Sequence, residues 1–174
     1  MNRPTLEVLK TRRSIRKFKA EPVPEEALRQ IIEAGLYAPT GRGSQNPIII
    51  AVTDPEVRAE IAWANAEVMG RSGIDPFYGA PAILIVLSKR DRLAKYDGSC
   101  VISNLMNAAW ALGIGSCWIH RAEEEFDSPF GKELLRSLHI DGDYEGIGHV
   151  ALGYIDGDLP EAKPRKENRV FYIR

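Results

Sequence analysis

Ala82-Ile83-Leu84-Ile85-Val86-Leu87 is an unbroken apolar run, half of it β-branched. A run of this kind reads as a central strand covered on both faces. Upstream, Ile48 to Val52 reads as a second buried strand and Pro55 to about Met69 as a helix. A helix opening at Pro24 carries Glu25 and Glu26 in its positive first turn, an apolar stripe of Leu28, Ile31, Ile32 and Leu36, and a stop before Pro39. A shorter helix is expected over Thr5–Lys10. Downstream, Asp97 is expected to cap a helix ending near Leu112, with Gly113 just past its end. That helix is apolar on most sides, which predicts burial. Ile114 to His120 reads as a strand, Pro129 to His139 as a helix, His149 to Ile155 as a strand, and Val170 to Ile173 as a short extended segment. Helices and strands in mixed order predict one layered α+β or α/β domain over residues 1–174.

The composition excludes several classes. With 174 residues, 44% hydrophobic and 27% charged, the chain is neither disordered nor fibrous. Its longest apolar run, Ala80 to Leu87, is far short of a membrane span, and no apolar stretch follows Arg3-Pro4-Thr5 as a secretory leader would require. A cytoplasmic protein without membrane partners is expected. Cys100 and Cys117 are too few for a disulfide scaffold, and both are expected to be reduced and buried.

The net charge of −1 conceals a polarity. Residues 1–19 hold seven cations against Glu7, and residues 162–174 hold five against Glu167, so the ends carry +6 and +4 and the 142 residues between them −11. Basic ends on an acidic body point to a local anionic ligand. A duplex binder shows a broad basic face and a high pI, whereas the pI here is about 6.3. No nucleic-acid partner is expected.

Familiar motifs fail on context. Gly146-Ile147-Gly148-His149-Val150-Ala151 has the letters G-x-G-x-x-A, but a strand-like run follows where a dinucleotide site needs a helix. Gly131-Lys132 lacks the rest of a P-loop, and His120, His139 and His149 have no metal-ligand spacing, so no metal is expected. Cys117 and His120 are three apart on a strand and point to opposite faces, which argues against a thiol–base pair and for a core cysteine. The acidic run Glu123-Glu124-Glu125 reads as a solvated face.

What survives is a set of three elements. Arg12, Arg13, Ser14 and Arg16 crowd into five residues, and Lys163-Pro164-Arg165-Lys166 forms a second basic cluster on a Pro-bounded loop. Guanidinium forks bind phosphate oxygens in pairs, so the two clusters would suit one phosphate monoester. Between Pro39 and Pro47, the side chains of Thr40, Ser44, Gln45 and Asn46 suit the polar edge of a flat heterocycle. Gly113-Ile114-Gly115-Ser116-Cys117-Trp118-Ile119-His120 offers glycines that let backbone approach a ligand closely. Trp118, taken alone, reads as core packing.

Together these residues resemble the FMN-dependent nitroreductase family. The resemblance rests on Arg12-Arg13-Ser14-Ile15-Arg16, Ala38-Pro39-Thr40 with Ser44-Gln45, Gly113 to Ile119, and Leu152-Gly153-Tyr154 with Lys163-Pro164-Arg165. It implies an α+β three-layer sandwich, a mainly antiparallel central sheet flanked by helices, and an intertwined homodimer with FMN at the interface. It also implies the cofactor contacts. Arg12, Arg13 and Ser14 would hold the phosphate and ribityl chain, and Lys163 and Arg165 would close on the phosphate. Arg16 would lie near the flavin pyrimidine. Pro39, Thr40 and Gly41 would line the site, with Ser44 and Gln45 reaching it from the partner. Cys117, Trp118 and Ile119 would run along the isoalloxazine. Gly43 stands where the family often has Asn, and Asn46 would substitute for it. The implied activity is an NAD(P)H-dependent flavin oxidoreductase that passes hydride by way of flavin N5 to a flat electrophile such as a nitroaromatic or quinone. The choice between NADH and NADPH stays open, and no side-chain acid or base stands out as catalytic. Two rivals use the same basic clusters: a flavin-holding sensory or storage module, and a flavin-free enzyme acting on another phosphorylated metabolite.

Overall fold

A computed structural model describes residues 4–174. Among these, the strands β1 (Ile48–Val52), β2 (Ala82–Lys89), β3 (Gly115–Ile119) and β4 (Tyr144–Gly153) form one sheet in the order β1-β2-β4-β3, every neighbouring pair antiparallel. The helices are α1 (Thr5–Thr11), α2 (Glu25–Leu36), α3 (Pro55–Val68), α4 (Ala94–Ala111), α5 (Ala122–Asp127) and α6 (Pro129–Ser137).

The sheet is the middle of three layers. Ile83, Ile85 and Leu87 of β2 face a core with Ile61, Phe77 and Phe126, on the side of α3, α5 and α6. Leu84 and Val86 face the opposite way onto Leu28, Ile31, Ile102 and Leu105 of α2 and α4. Both faces of β2 are therefore sealed, which is why its sequence lacks the alternation of a half-exposed antiparallel strand. The fold is α+β, with the expected antiparallel sheet.

Local signals account for the boundaries. Asp54 accepts from the amides of Glu56 (2.9 Å) and Val57 (3.0 Å) to cap α3, with Pro55 following. Ser128 caps α6 in the same way, ahead of Pro129. Pro24 is the N-cap of α2 and not its first residue.

Other expectations need correction. Asp97 does not cap α4; the helix begins at Ala94, and the Asp97 side chain is free for another task. Strand β4 begins at Tyr144, five residues before the expected His149, and ends at Gly153. Its glycines answer to packing: a Cβ on Gly146 would lie 2.1 Å from the Ala122 carbonyl oxygen, and one on Gly148 would lie 2.2 Å from Trp118 Nε1. The G-x-G letters thus mark close passage of α5 and an indole over a strand, so the rejected dinucleotide reading stays rejected. Val170 to Ile173 joins no strand and lies exposed, and Cys100 is exposed in this chain while Cys117 is buried. Among the described residues no helix is long and apolar enough to cross a membrane, and no cluster of candidate metal ligands occurs.

Candidate functional site

The basic segment after α1 is laid against the sheet. Ser14 bridges Ser116 of β3, and the Ile15 amide donates to the Ser116 carbonyl at 2.9 Å. Further on, Phe18 bridges Ile155, and the Lys19 amide donates to the Tyr154 carbonyl at 2.9 Å. Ile15 and Phe18 are buried and anchor the strip, leaving Arg16 and Lys17 exposed between them. Lys17 pairs with Asp156 at 2.8 Å and, by that bond and its charge, holds Asp156 below the usual carboxylate range.

Arg12, Arg13 and Ser14 line one wall of an open groove of about 490 Å³; Lys163, Arg165, Lys166 and Arg169 line the other. The two basic clusters thus meet. Two of the groove's guanidinium groups are partly engaged: Arg13 Nη1 donates to the carbonyls of Lys10 and Arg12, and Arg165 donates twice to the Lys163 carbonyl. Arg12 differs. Its Nη1 is buried and has no hydrogen-bond partner among the described residues. Burial, with help from Arg13, pulls its pKa down, against an opposing effect of Cys117, yet a guanidinium stays charged in proteins. A buried unpaired donor is costly, and an anion beside the Arg12 guanidinium would offset the cost of its partly buried charge. Lys166 stood in the second basic cluster of the sequence, whereas Arg169 did not; its only signal is the positive balance of the C-terminal residues.

The remaining candidates lie elsewhere. Arg16 lines an adjacent cleft with Lys17, Ile155 and Asp156. Pro39, Thr40, Gly43 and Gln45 line a hollow of about 540 Å³ with Leu36 and Tyr37, which shares no residue with the basic groove. This loop is ordered by the side chain that was expected to cap α4: Asp97 Oδ1 accepts from the Gly41 amide at 2.9 Å, and Oδ2 lies 3.5 Å from Ser44 Oγ. Thr40 Oγ1 accepts from the Gln45 amide at 3.0 Å. Asn46 is half-buried.

Along β3, Cys117 and Ile119 belong to the core. Trp118 points the other way and is 38% exposed, so it is not simply core packing. It borders a cavity of about 170 Å³ with Ser99, His120 and Gly146, rimmed by the Lys95–Glu123 ion pair. Gly115 does not open the backbone to a ligand; a Cβ there would lie 2.9 Å from Ile155 Cγ1 and 3.0 Å from Ile15 Cγ1, so it seats the basic strip. Burial pushes the Cys117 thiol up, outweighing the pull of Arg16, Ser14 and Arg12. In a Cys100→Ser variant, Cys117 is expected to resist a thiol reagent such as DTNB at pH 8 in the native state and react fully in denaturant. Because the folded pKa is raised, its contribution to stability is full below the unfolded pKa and is lost as pH rises through the folded one. Urea midpoints measured into the alkaline range should fall accordingly.

A sequence profile of the nitroreductase family matches residues 9–154. The chain belongs to the nitroreductase family. As a nitroreductase-family protein it is similar to a Bacteroides fragilis nitroreductase crystallised with bound FMN, at 32% identity and a TM-score of 0.87, covering 99% of this chain and 100% of that one. It is also similar to a Desulfitobacterium hafniense nitroreductase with bound FMN, at 28% identity and a TM-score of 0.85, over 100% of both chains. A Vibrio harveyi NADPH-flavin oxidoreductase is 45% identical over 172 residues, covering 92% of this chain and 69% of that protein.

Proposed function

We propose that this nitroreductase-family chain is an NAD(P)H-dependent FMN oxidoreductase. The observation that carries the reading is a single groove lined by Arg12, Arg13 and Ser14 together with Lys163 and Arg165, a donor set suited to a phosphate monoester. FMN-bound relatives of the same fold supply the identity of that monoester. Arg12, Arg13, Ser14, Lys163 and Arg165 would hold the phosphate end. Arg16 supplies a fixed positive charge beside the groove, of the kind that favours negative charge developing nearby. When bound, FMN supplies the redox chemistry, taking hydride from NAD(P)H and passing reducing equivalents to a second substrate. The proposed acceptor is a flat electrophile, a nitroaromatic or quinone.

A homodimer completes the reading. The loop carrying Thr40, Ser44 and Gln45 shares no cavity with the groove of its own chain, so a second copy would have to bring it there. Apolar surface is available for such a contact: Leu36 is 60% exposed, Tyr37 81% and Phe171 85%. Adjacent exposed apolar side chains such as Leu36 and Tyr37 suit an interaction surface. The purified protein is expected to show a flavin spectrum that bleaches anaerobically on addition of NADH or NADPH, and to sediment as a dimer. A colourless protein that takes up no FMN would overturn the reading; a coloured protein that neither nucleotide bleaches would leave a flavin-binding module instead.

A further inference from the structure

Where β3 ends, a buried polar cluster grips one turn. His149 of β4 and Glu125 of α5 are both 0% exposed, with His149 Nε2 lying 3.2 Å from Glu125 Oε2. Glu125 was expected in a solvated acidic face; instead it is enclosed with His149 beside the rings of Phe77 and Phe126. Asn65 of α3, also 0% exposed, joins them. Its Nδ2 donates to Glu125 Oε2 at 2.9 Å and to the His120 carbonyl at 3.1 Å, and its Oδ1 accepts from Arg121 Nε at 3.1 Å. Arg121 holds φ 76° and ψ 11°, a left-handed conformation unusual for a residue other than glycine.

These features share one destination. Asn65 bonds the turn at two consecutive residues, His120 and Arg121, and is itself held by Glu125. Ile119, the residue before the turn, pairs with His149 in the β3–β4 ladder. The last rung of β3 and the turn after it are therefore held from two sides. Buried polar groups in an apolar setting cost stability relative to well-packed hydrophobic residues, and strained backbone persists only where its surroundings over-determine it. The expense is concentrated on the exact placement of a few backbone atoms next to Trp118.

We propose that Asn65, Arg121 and Glu125 form a positioning clamp that sets the His120–Arg121 turn, and through it the Trp118 end of β3, the strand whose Ser116 is bridged to Ser14 of the basic groove, against the ring system of the flavin that the groove would hold. The inference rests on the flavin reading above and adds to it residues that touch neither phosphate nor basic groove. Asn65 is a positioning residue: it acts through the turn.

The test uses the full chain loaded with FMN and compares Asn65→Leu, Arg121→Val and Arg121→Gly. FMN dissociation constants are measured by fluorescence titration, and flavin reduction by saturating NADH or NADPH is followed by stopped flow. Asn65→Leu and Arg121→Val are expected to slow reduction about 10-fold or more, as misplacement of a reacting group does, while the FMN constant stays within about threefold. Arg121→Gly removes the same guanidinium as Arg121→Val but tolerates the left-handed turn, so it is expected to reduce at least about fivefold faster than Arg121→Val. If Asn65→Leu does not fold, the two Arg121 variants decide alone. Reduction at wild-type rates in the folded variants overturns the clamp, as does an Arg121→Gly variant as slow as Arg121→Val, or a loss of FMN affinity in parallel with rate. Failure of the wild-type chain to bind FMN overturns the flavin reading first, and the clamp's role with it.

Discussion

Replacing Arg12 by alanine is expected to weaken FMN binding by at least about 30-fold, the lower end for truncating one member of a buried charge pair. Arg12 lines the groove, and its Nη1 has no hydrogen-bond partner among the described residues, so its charge is available to a phosphate bound there. Arg13 and Arg165 already donate to main-chain carbonyls, and their replacement is expected to cost less. Arg12→Lys keeps the charge but loses the fork, and should fall between wild type and alanine. Fluorescence titration with FMN at two salt concentrations measures all three, with affinity falling as salt rises. An Arg12→Ala variant that binds FMN within about threefold of wild type would remove the main support for the phosphate groove.

The largest expected stability effect falls on a glycine of β4. In Gly146→Ala the new methyl carbon would meet the Ala122 carbonyl oxygen at 2.1 Å and its carbon at 2.3 Å. Both are backbone atoms at the start of α5, so no side chain can swing aside; either β4 or α5 must move. Overpacking of this kind costs about 3 kcal/mol, which for a chain of this size lowers Tm by roughly 6–12 °C. Since α5 carries Glu125, the shift is also expected to disturb the contacts of Asn65. Calorimetry of the variant checks the first effect; an unchanged Tm would mean that the close passage of α5 over β4 is misplaced.

Much of the fold is written in short-range pattern. The β2 run announces a strand sealed on both faces, and Pro55 and Pro129 announce helix starts, because a first turn is a local choice. The basic clusters are equally visible, since charge density along a chain is local information. Asp97 and Glu125 were misread for a common reason. One looked like a cap and the other like a solvated acid, yet their partners are Gly41 and Asn65, 56 and 60 residues away. Their burial depends on which helix lands on which face of the sheet.

The same boundary runs through the candidate site. From the residues alone came the chemistry: two cationic clusters suited to one phosphate, an amide-rich loop, a glycine-flanked strand, and the order of motifs that marks the family. Only the tertiary structure decided that Arg12 and Arg169 share a groove, that Trp118 faces open space while Cys117 and Ile119 face the core, and that the Thr40–Gln45 loop stays apart from the groove in its own chain. Charge and propensity belong to single residues and their near neighbours. Facing and convergence follow from strand register and helix packing, where pairs such as Trp118 and Val150 meet across the sheet, and the chain order of the residues does not contain them.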